Sequence, residues 1–246
     1  MEVLGIDVGG SGIKGAIVNI ETGELCSEKH RIPTPKGAKP KDIANEVAEL
    51  IAHFNWKGQV GCGFPTIVHH GKALHYSNLH KSWKGLQIDE FFQERTGLPF
   101  TVINDADAAG LATIHFGSGK GKSGLILMIT VGTGLGSGLF FNGQLIPNFE
   151  LGKIPYKNYK YIEMWAADSA RKREDISLIE WAQRFNKFLK IVERLILADL
   201  IIIGGGASKK FDQFKHLITI GTPVVAAIHQ NNAGIIGAAL GAIKDR

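Results

Sequence analysis

Cysteine is nearly absent from this chain, with only Cys26 and Cys62 among 246 residues. Two are too few for a disulfide framework or a cysteine-rich zinc site. They point instead to a reducing compartment, and a cytoplasmic location is expected. No unbroken apolar run approaches the length that a bilayer demands, so no membrane partner is expected. The N-terminus opens directly on strand-forming residues, and no secretory leader is expected there. The formal charge of +5 is modest. It suits an anionic small molecule without marking a nucleic-acid binder. Two phosphate-binding signatures are also missing. There is no GxxxxGK[ST], and the first glycine turn leads into a strand rather than the helix of a dinucleotide fingerprint.

What the chain does have is glycine, 31 residues of it, and enough apolar residues (44%) for a substantial core. Residues 3–18 read as strand, glycine turn, strand around Gly9-Gly10-Ser11-Gly12. Alone this is either an ordinary hairpin or a turn whose N–H groups hold an anion. Asp7 stands at the end of the first strand, where a carboxylate can hold Mg²⁺ directly or through water. Lys14 adds a positive charge nearby. A second copy follows in Ile129-Thr130-Val131-Gly132-Thr133-Gly134-Leu135-Gly136. Set beneath the first without a gap, it matches Ile6 to Ile129, Val8 to Val131, Gly9 to Gly132, Gly15 to Gly138 and Asn19 to Asn142. A repeat at half the chain length implies two related lobes. The flexible Gly117–Gly124 stretch marks the boundary, giving lobes of 1–117 and 118–246.

Between the hairpins the pattern predicts a third strand at 25–32, a helix from Asp42 to Phe54 and a strand at 59–64. A turn, Gly63-Phe64-Pro65-Thr66, follows, then a long polar and aromatic loop at 74–86. A helix at 88–96 and a strand at 100–103 lead into Asn104-Asp105, where the next helix begins. The second half predicts helices at 160–172 and 177–196. It then predicts a strand at 199–203 ending in Gly204-Gly205-Gly206, another helix, a short strand at 223–226 and a C-terminal helix at 233–243.

Asp105 is either a helix cap or, ionised at a strand end, a base able to take a proton from a substrate hydroxyl. Asp107 reads as structural. The paired glycine hairpins resemble the actin-like phosphotransferase superfamily. Asn104-Asp105-Ala106-Asp107-Ala108-Ala109 and Glu150-Leu151-Gly152 narrow the resemblance to the ROK family of sugar kinases. So do Gly63-Phe64-Pro65, Ala166-Ala167-Asp168-Ser169 and Asn232-Ala233-Gly234. The segment Asn78-Leu79-His80-Lys81-Ser82-Trp83 resembles its zinc-free branch in particular.

That resemblance implies an α/β, two-lobed actin-like (ribonuclease H-like) fold, each lobe a mixed sheet with flanking helices and a cleft between them. It implies transfer of a phosphoryl group to the 6-hydroxyl of glucose from inorganic polyphosphate or from ATP, with Mg²⁺. By the same resemblance Asp105 is the general base. Gly63, Pro65, Thr66, Asn104, Asp105, Glu150 and Lys153 surround the sugar, Lys153 as a hydrogen-bond donor to a hydroxyl. Lys153 stands where the family has a histidine that ligates zinc in zinc-bearing members, so no structural zinc is expected. Asp7, Gly9, Gly10, Ser11, Gly12, Lys14, Thr130, Gly132, Thr133, Gly134, Gly205, Gly206, Lys209 and Lys210 serve the phosphate donor and its metal. Arg171, Lys172, Arg173, Arg184, Lys187 and Lys190 suggest a basic strip leading away from it. A homodimer is expected, with helix 177–196 a candidate face. The competing expectations are an ATP-dependent sugar kinase and a sugar-sensing regulator of the same fold.

Overall fold

The computed structural model describes residues 1–76, 79–228 and 232–244. It divides into two compact units, Met1–Phe116 with Asn231–Arg246, and Gly117–Gln230.

The first unit opens with β1 (Glu2–Val8) and β2 (Ile13–Asn19), an antiparallel pair extended by the short β3 (His30–Ile32). Only this end of the expected 25–32 strand forms. Helix α1 (Pro40–His53) begins at a proline, which lacks the N–H that a first helical turn leaves unpaired anyway. It buries Ile43, Ala44, Val47, Leu50 and Ile51 on one face. Then follow β4 (Val60–Phe64), the small β5–β6 hairpin (Val68–His69, Lys72–Ala73), α2 (Ile88–Thr96), β7 (Phe100–Asn104) and α3 (Asp105–Phe116). The main sheet runs β3-β2-β1-β4-β7.

The second unit repeats that order. Strands β8 (Leu125–Val131), β9 (Leu135–Phe141) and β10 (Gln144–Ile146) precede helices α4 (Glu163–Ala166), α5 (Asp168–Arg173) and α6 (Leu178–Leu195). Strand β11 (Leu200–Gly205), the short α7 (Phe211–Phe214) and β12 (Val224–Ala226) follow. The sheet order is β10-β9-β8-β11-β12, the same path as in the first unit. The Ser177 hydroxyl caps α6 by accepting from Glu180 N (3.1 Å). The apolar face of α6, with Trp181, Phe185, Phe188 and Leu189, is spent on this unit's core rather than left for a partner.

Two expectations change. The ungapped alignment of the hairpins slips by one residue after the turn. Val8 pairs with Ile13 but Val131 pairs with Leu135, so the second turn is shorter. Gly15, opposite Ile6, therefore corresponds to Ser137, opposite Ile129, and Asn19 corresponds to Phe141. In a strand such a slip exchanges the two faces. The second change concerns the C-terminal helix α8 (Ala233–Lys244), expected within the second lobe of 118–246. It belongs to the first unit, where it packs on α3, β1 and β4.

The reason lies in strand alternation. Leu4, Ile6 and Val8 on β1, and Val60, Cys62 and Phe64 on β4, enter the same core as α1 and α2. The opposite face presents Gly5 and Gly61, where a Cβ would lie 2.1 Å from the Ile235 carbonyl oxygen and 1.9 Å from that of Ala238. Glycine at these positions lets the α8 backbone rest directly on the sheet.

Candidate active site

In the first unit, parallel pairing sets the strand ends side by side. Asp7 pairs with Gly63, and Gly63 and Phe64 pair with Ile103 and Asn104. Asp7, Gly63, Asn104 and Asp105 thus share the C-terminal edge of the sheet, where open α/β folds bind ligands. A Cβ on Gly63 would sit 3.8 Å from the Asp105 Cα, in ordinary contact, which places this strand end directly beside the start of α3.

Asn104 is buried and largely committed. Its Oδ1 accepts from Ala106 N (2.8 Å) and Asp107 N (3.2 Å), capping α3, and its Nδ2 donates to the Thr66 carbonyl (2.9 Å). One Nδ2 hydrogen remains for a ligand. Asp105, the first residue of α3, is half-buried, and its Oδ1 accepts from Ala106 N (2.8 Å). The Thr66 hydroxyl is buried without a hydrogen-bond partner among the described residues. Asp107 is buried within α3.

Asp7 pairs with Lys14, its Oδ2 lying 3.5 Å from Nζ. Burial raises the Asp7 carboxyl above its ordinary range, and the Lys14 charge opposes that rise. A Cβ on Gly234 would approach the Asp7 Cγ to 2.9 Å, so the glycine keeps space open around the carboxylate. A hard oxygen donor with open space fits Mg²⁺, which binds through few protein ligands and keeps waters or phosphates. The Gly9–Gly12 turn closes through Gly9 N to Gly12 O (3.0 Å). Sequence reading missed two of its supports. Thr34 Oγ1 donates to Gly9 O (2.5 Å) and Arg31 Nη2 to Ser11 O (2.5 Å). Both lie beyond β2 in the chain, and only the β2–β3 pairing brings them to the turn.

In the second unit, the Gly132–Gly134 turn is held from α5. Ser169 donates through N to Gly132 O (3.1 Å) and through Oγ to Thr133 O (2.6 Å). Thr130 and Gly136 pair just before it. Glu150 is placed by Ser137, whose hydroxyl donates to Phe149 O (2.5 Å) and accepts from Leu151 N (3.0 Å). Gly152 lies against the Leu135 carbonyl, 2.2 Å from a would-be Cβ.

Burial raises the Glu150 carboxyl, the Lys153 charge lowers it, and Glu163 raises it again. Lys153 does not stand free for a ligand. Its Nζ pairs with Glu163, whose other carboxylate oxygen accepts from Leu135 N (3.2 Å). Nothing in the spacing of 153 and 163 announced this link between the Glu150 segment and the Gly132–Gly134 turn.

Gly205 has φ 72°, and a Cβ there would meet the Val131 backbone, so only glycine serves. The exposed Lys209 and Lys210 follow in a 3-10 turn. A cavity of about 170 Å³ lies here, bordered by Asp168, Arg171, Trp181, Gly206, Lys210 and Phe214. Four of the six members of the expected basic strip are engaged by carboxylates. Arg171 and Lys172 pair with Asp168 (2.7 and 2.8 Å), Arg173 with Glu174 (2.8 Å), and Arg184 with Glu174 and Glu180 (2.5 and 3.1 Å).

Comparison with known proteins places this geometry. The ROK family profile matches residues 3–148. The polyphosphate glucokinase of Mycobacterium tuberculosis is 43% identical over 242 residues, covering 98% of this chain and 91% of its own. That of Mycobacterium leprae is 40% identical, covering 98% and 74%. Among solved structures, the inorganic polyphosphate/ATP-glucomannokinase of an Arthrobacter species superposes with a TM-score of 0.91 at 41% identity, over 97% of each chain. The mixed α/β, two-lobed actin-like architecture is the one these relatives share. By profile, by whole-length identity and by structure, this chain belongs to the ROK family.

Proposed function

We propose that this chain transfers the terminal phosphoryl group of inorganic polyphosphate, and also of ATP, to the 6-hydroxyl of glucose. The observation that carries this reading is the likeness to polyphosphate glucokinases along 98% of the chain.

Asp105 accepts the proton of the 6-hydroxyl as that oxygen attacks the terminal phosphorus. The new O–P bond forms while the bond to the donor chain breaks, leaving a chain shorter by one phosphate. Asn104, Glu150 and the Gly63–Thr66 turn, with Pro65 and the Thr66 hydroxyl, hold the sugar. Lys153 acts through its pair with Glu163 to fix the Glu150 segment. The N–H groups of the Gly9–Gly12 and Gly132–Gly134 turns, with Lys14, Thr130 and Thr133, stabilise charge on the transferred group. Gly205, Gly206, Lys209 and Lys210 contact the remainder of the donor. Asp7 would hold Mg²⁺, which when bound would supply charge neutralisation on the donor phosphates. A cytoplasmic homodimer belongs to the same reading.

A second reading, a kinase that uses ATP alone, draws on the cavity beside Gly206, which suits a nucleoside as well as a phosphate chain. Glucose phosphorylation with Mg²⁺, run in parallel with ATP and with nucleotide-free long-chain polyphosphate, separates the two. Turnover with polyphosphate is expected; turnover with ATP alone overturns the first reading and leaves the second.

A pH dependence follows from the Glu150 environment. The ionised carboxylate is the form that accepts from sugar hydroxyls, and burial raises its pKa. As pH falls, Glu150 is protonated earlier than an ordinary glutamate at about 4.3. The KM for glucose is therefore expected to rise above that range. Glu150→Gln should raise KM at neutral pH and remove that part of the profile.

A further inference from the structure

The first unit carries a groove, beside its phosphate turn, that the chemistry above leaves unused. Its volume is about 500 Å³, within the span typical of ligand sites. Gly10 forms one end, residues 34–38 one wall, and Leu79, His80 and Lys81 the other. The second wall belongs to the 78–83 segment singled out in the sequence, of which Asn78 lies outside the described residues.

Both walls are held in place. Trp83 is fully buried and donates from Nε1 to Ala38 O (2.8 Å), tying one wall to the other. Thr34 ties the first wall to Gly9, as described above. His80 Nδ1 accepts from Ser82 N (3.2 Å), which sets the short helical turn Lys81–Trp83. The groove is therefore preorganised rather than a gap between loose loops.

Its charge is of one sign. Lys36 and Lys81 are the charged residues that line it, with the His80 imidazole beside them, and no carboxylate is among the lining residues. Neither lysine forms an ion pair among the described residues. Arg171, Arg173 and Arg184, by contrast, are paired with Asp168, Glu174 and Glu180. The guanidinium of Arg31, at Ser11 O, continues the positive edge past the turn. A concave surface with unpaired cations concentrates anions. Lysine is a point charge without a fixed fork, which suits a repeating phosphate chain better than a single planar carboxylate.

We propose that this groove binds the stretch of an inorganic polyphosphate chain that extends beyond the phosphates at the Gly9–Gly12 turn. The inference rests on polyphosphate being a donor. It makes chain length, rather than the reacting end, the property that the groove reads.

The test is the double variant Lys36→Gln/Lys81→Gln, assayed with long-chain polyphosphate, tripolyphosphate and ATP at saturating glucose. For long chains, kcat/KM is expected to fall roughly tenfold, the sum of two exposed charge contacts. Tripolyphosphate and ATP should change less than about twofold on the same scale. Raising salt should also depress the long-chain rate less steeply in the variant than in the parent. If the parent uses long chains and the variant uses them equally well, the groove proposal is overturned and the donor assignment stands. An equal loss with all three donors overturns it too, since the lysines then act on the reacting end. If the parent uses ATP but no polyphosphate, the donor assignment falls and the groove proposal with it.

Discussion

Asp105→Asn is expected to fold as the parent does and to lose about 10²–10⁴-fold in kcat, the range for removal of a positioned general base. The structure separates the two roles open to this residue. Capping of α3 is done by Asn104, whose Oδ1 accepts from both Ala106 N and Asp107 N. The Asp105 Oδ1 also accepts from Ala106 N, and an asparagine oxygen keeps that bond. What the amide cannot do is accept a proton. The base acts only as the hydroxyl attacks, so kcat and kcat/KM should fall together with little change in glucose affinity. Rates with each donor, beside a thermal melt, make the check. An unchanged melt with a collapsed rate supports the assignment; near-parent turnover removes Asp105 from the chemistry.

Gly237→Ala is expected to be the most damaging single methyl group in the first unit. A Cβ at Gly237 would lie 1.5 Å from the Ala108 carbonyl oxygen and 2.4 Å from its carbon. Both are backbone atoms of α3, which cannot rotate away as a side-chain tip would. The same helix α8 already rests on Gly5 and Gly61 across its other contact, so it has no room to retreat. Overpacking of this kind costs about 1–3 kcal/mol. At the upper end that is a drop of roughly 6–12 °C in Tm for a chain of this size. Activity should suffer beyond the loss of stability, because the helix displaced is the one that begins at Asp105. Gly10→Ala is the stability control, since a Cβ there meets nothing within 4 Å. Equal melting temperatures for Gly237→Ala and the parent would show that the α3–α8 contact is looser than described.

Much of the site could be read from the chain because its signals are local. A glycine turn between two apolar strands needs only neighbouring residues to be recognised. Asn104-Asp105 stands where a strand gives way to a helix, and an amide or carboxylate there announces a cap or a ligand on any fold. Other features depend on residues far apart in sequence. The Glu163 that binds Lys153 is ten positions away across an irregular loop. Arg171, Arg173 and Arg184 read as part of a strip until the carboxylates that pair with them are seen beside them. The slip between the two hairpins is a matter of strand register, which identity matching without a gap cannot detect.

The sequence by itself determined the order of the main elements, the repeated strand-turn-strand and which residues are proposed to hold phosphate and move a proton. These follow from backbone permissiveness and side-chain chemistry, which each residue carries wherever it lies. Tertiary structure alone decided that α8 belongs with the first unit, that Asp7, Gly63, Asn104 and Asp105 share one sheet edge, and which basic residues are paired with carboxylates among the described residues. The physical reason is common to all three. Close packing and charge pairing depend on distance in space, and parallel strand register brings together groups that lie far apart along the chain.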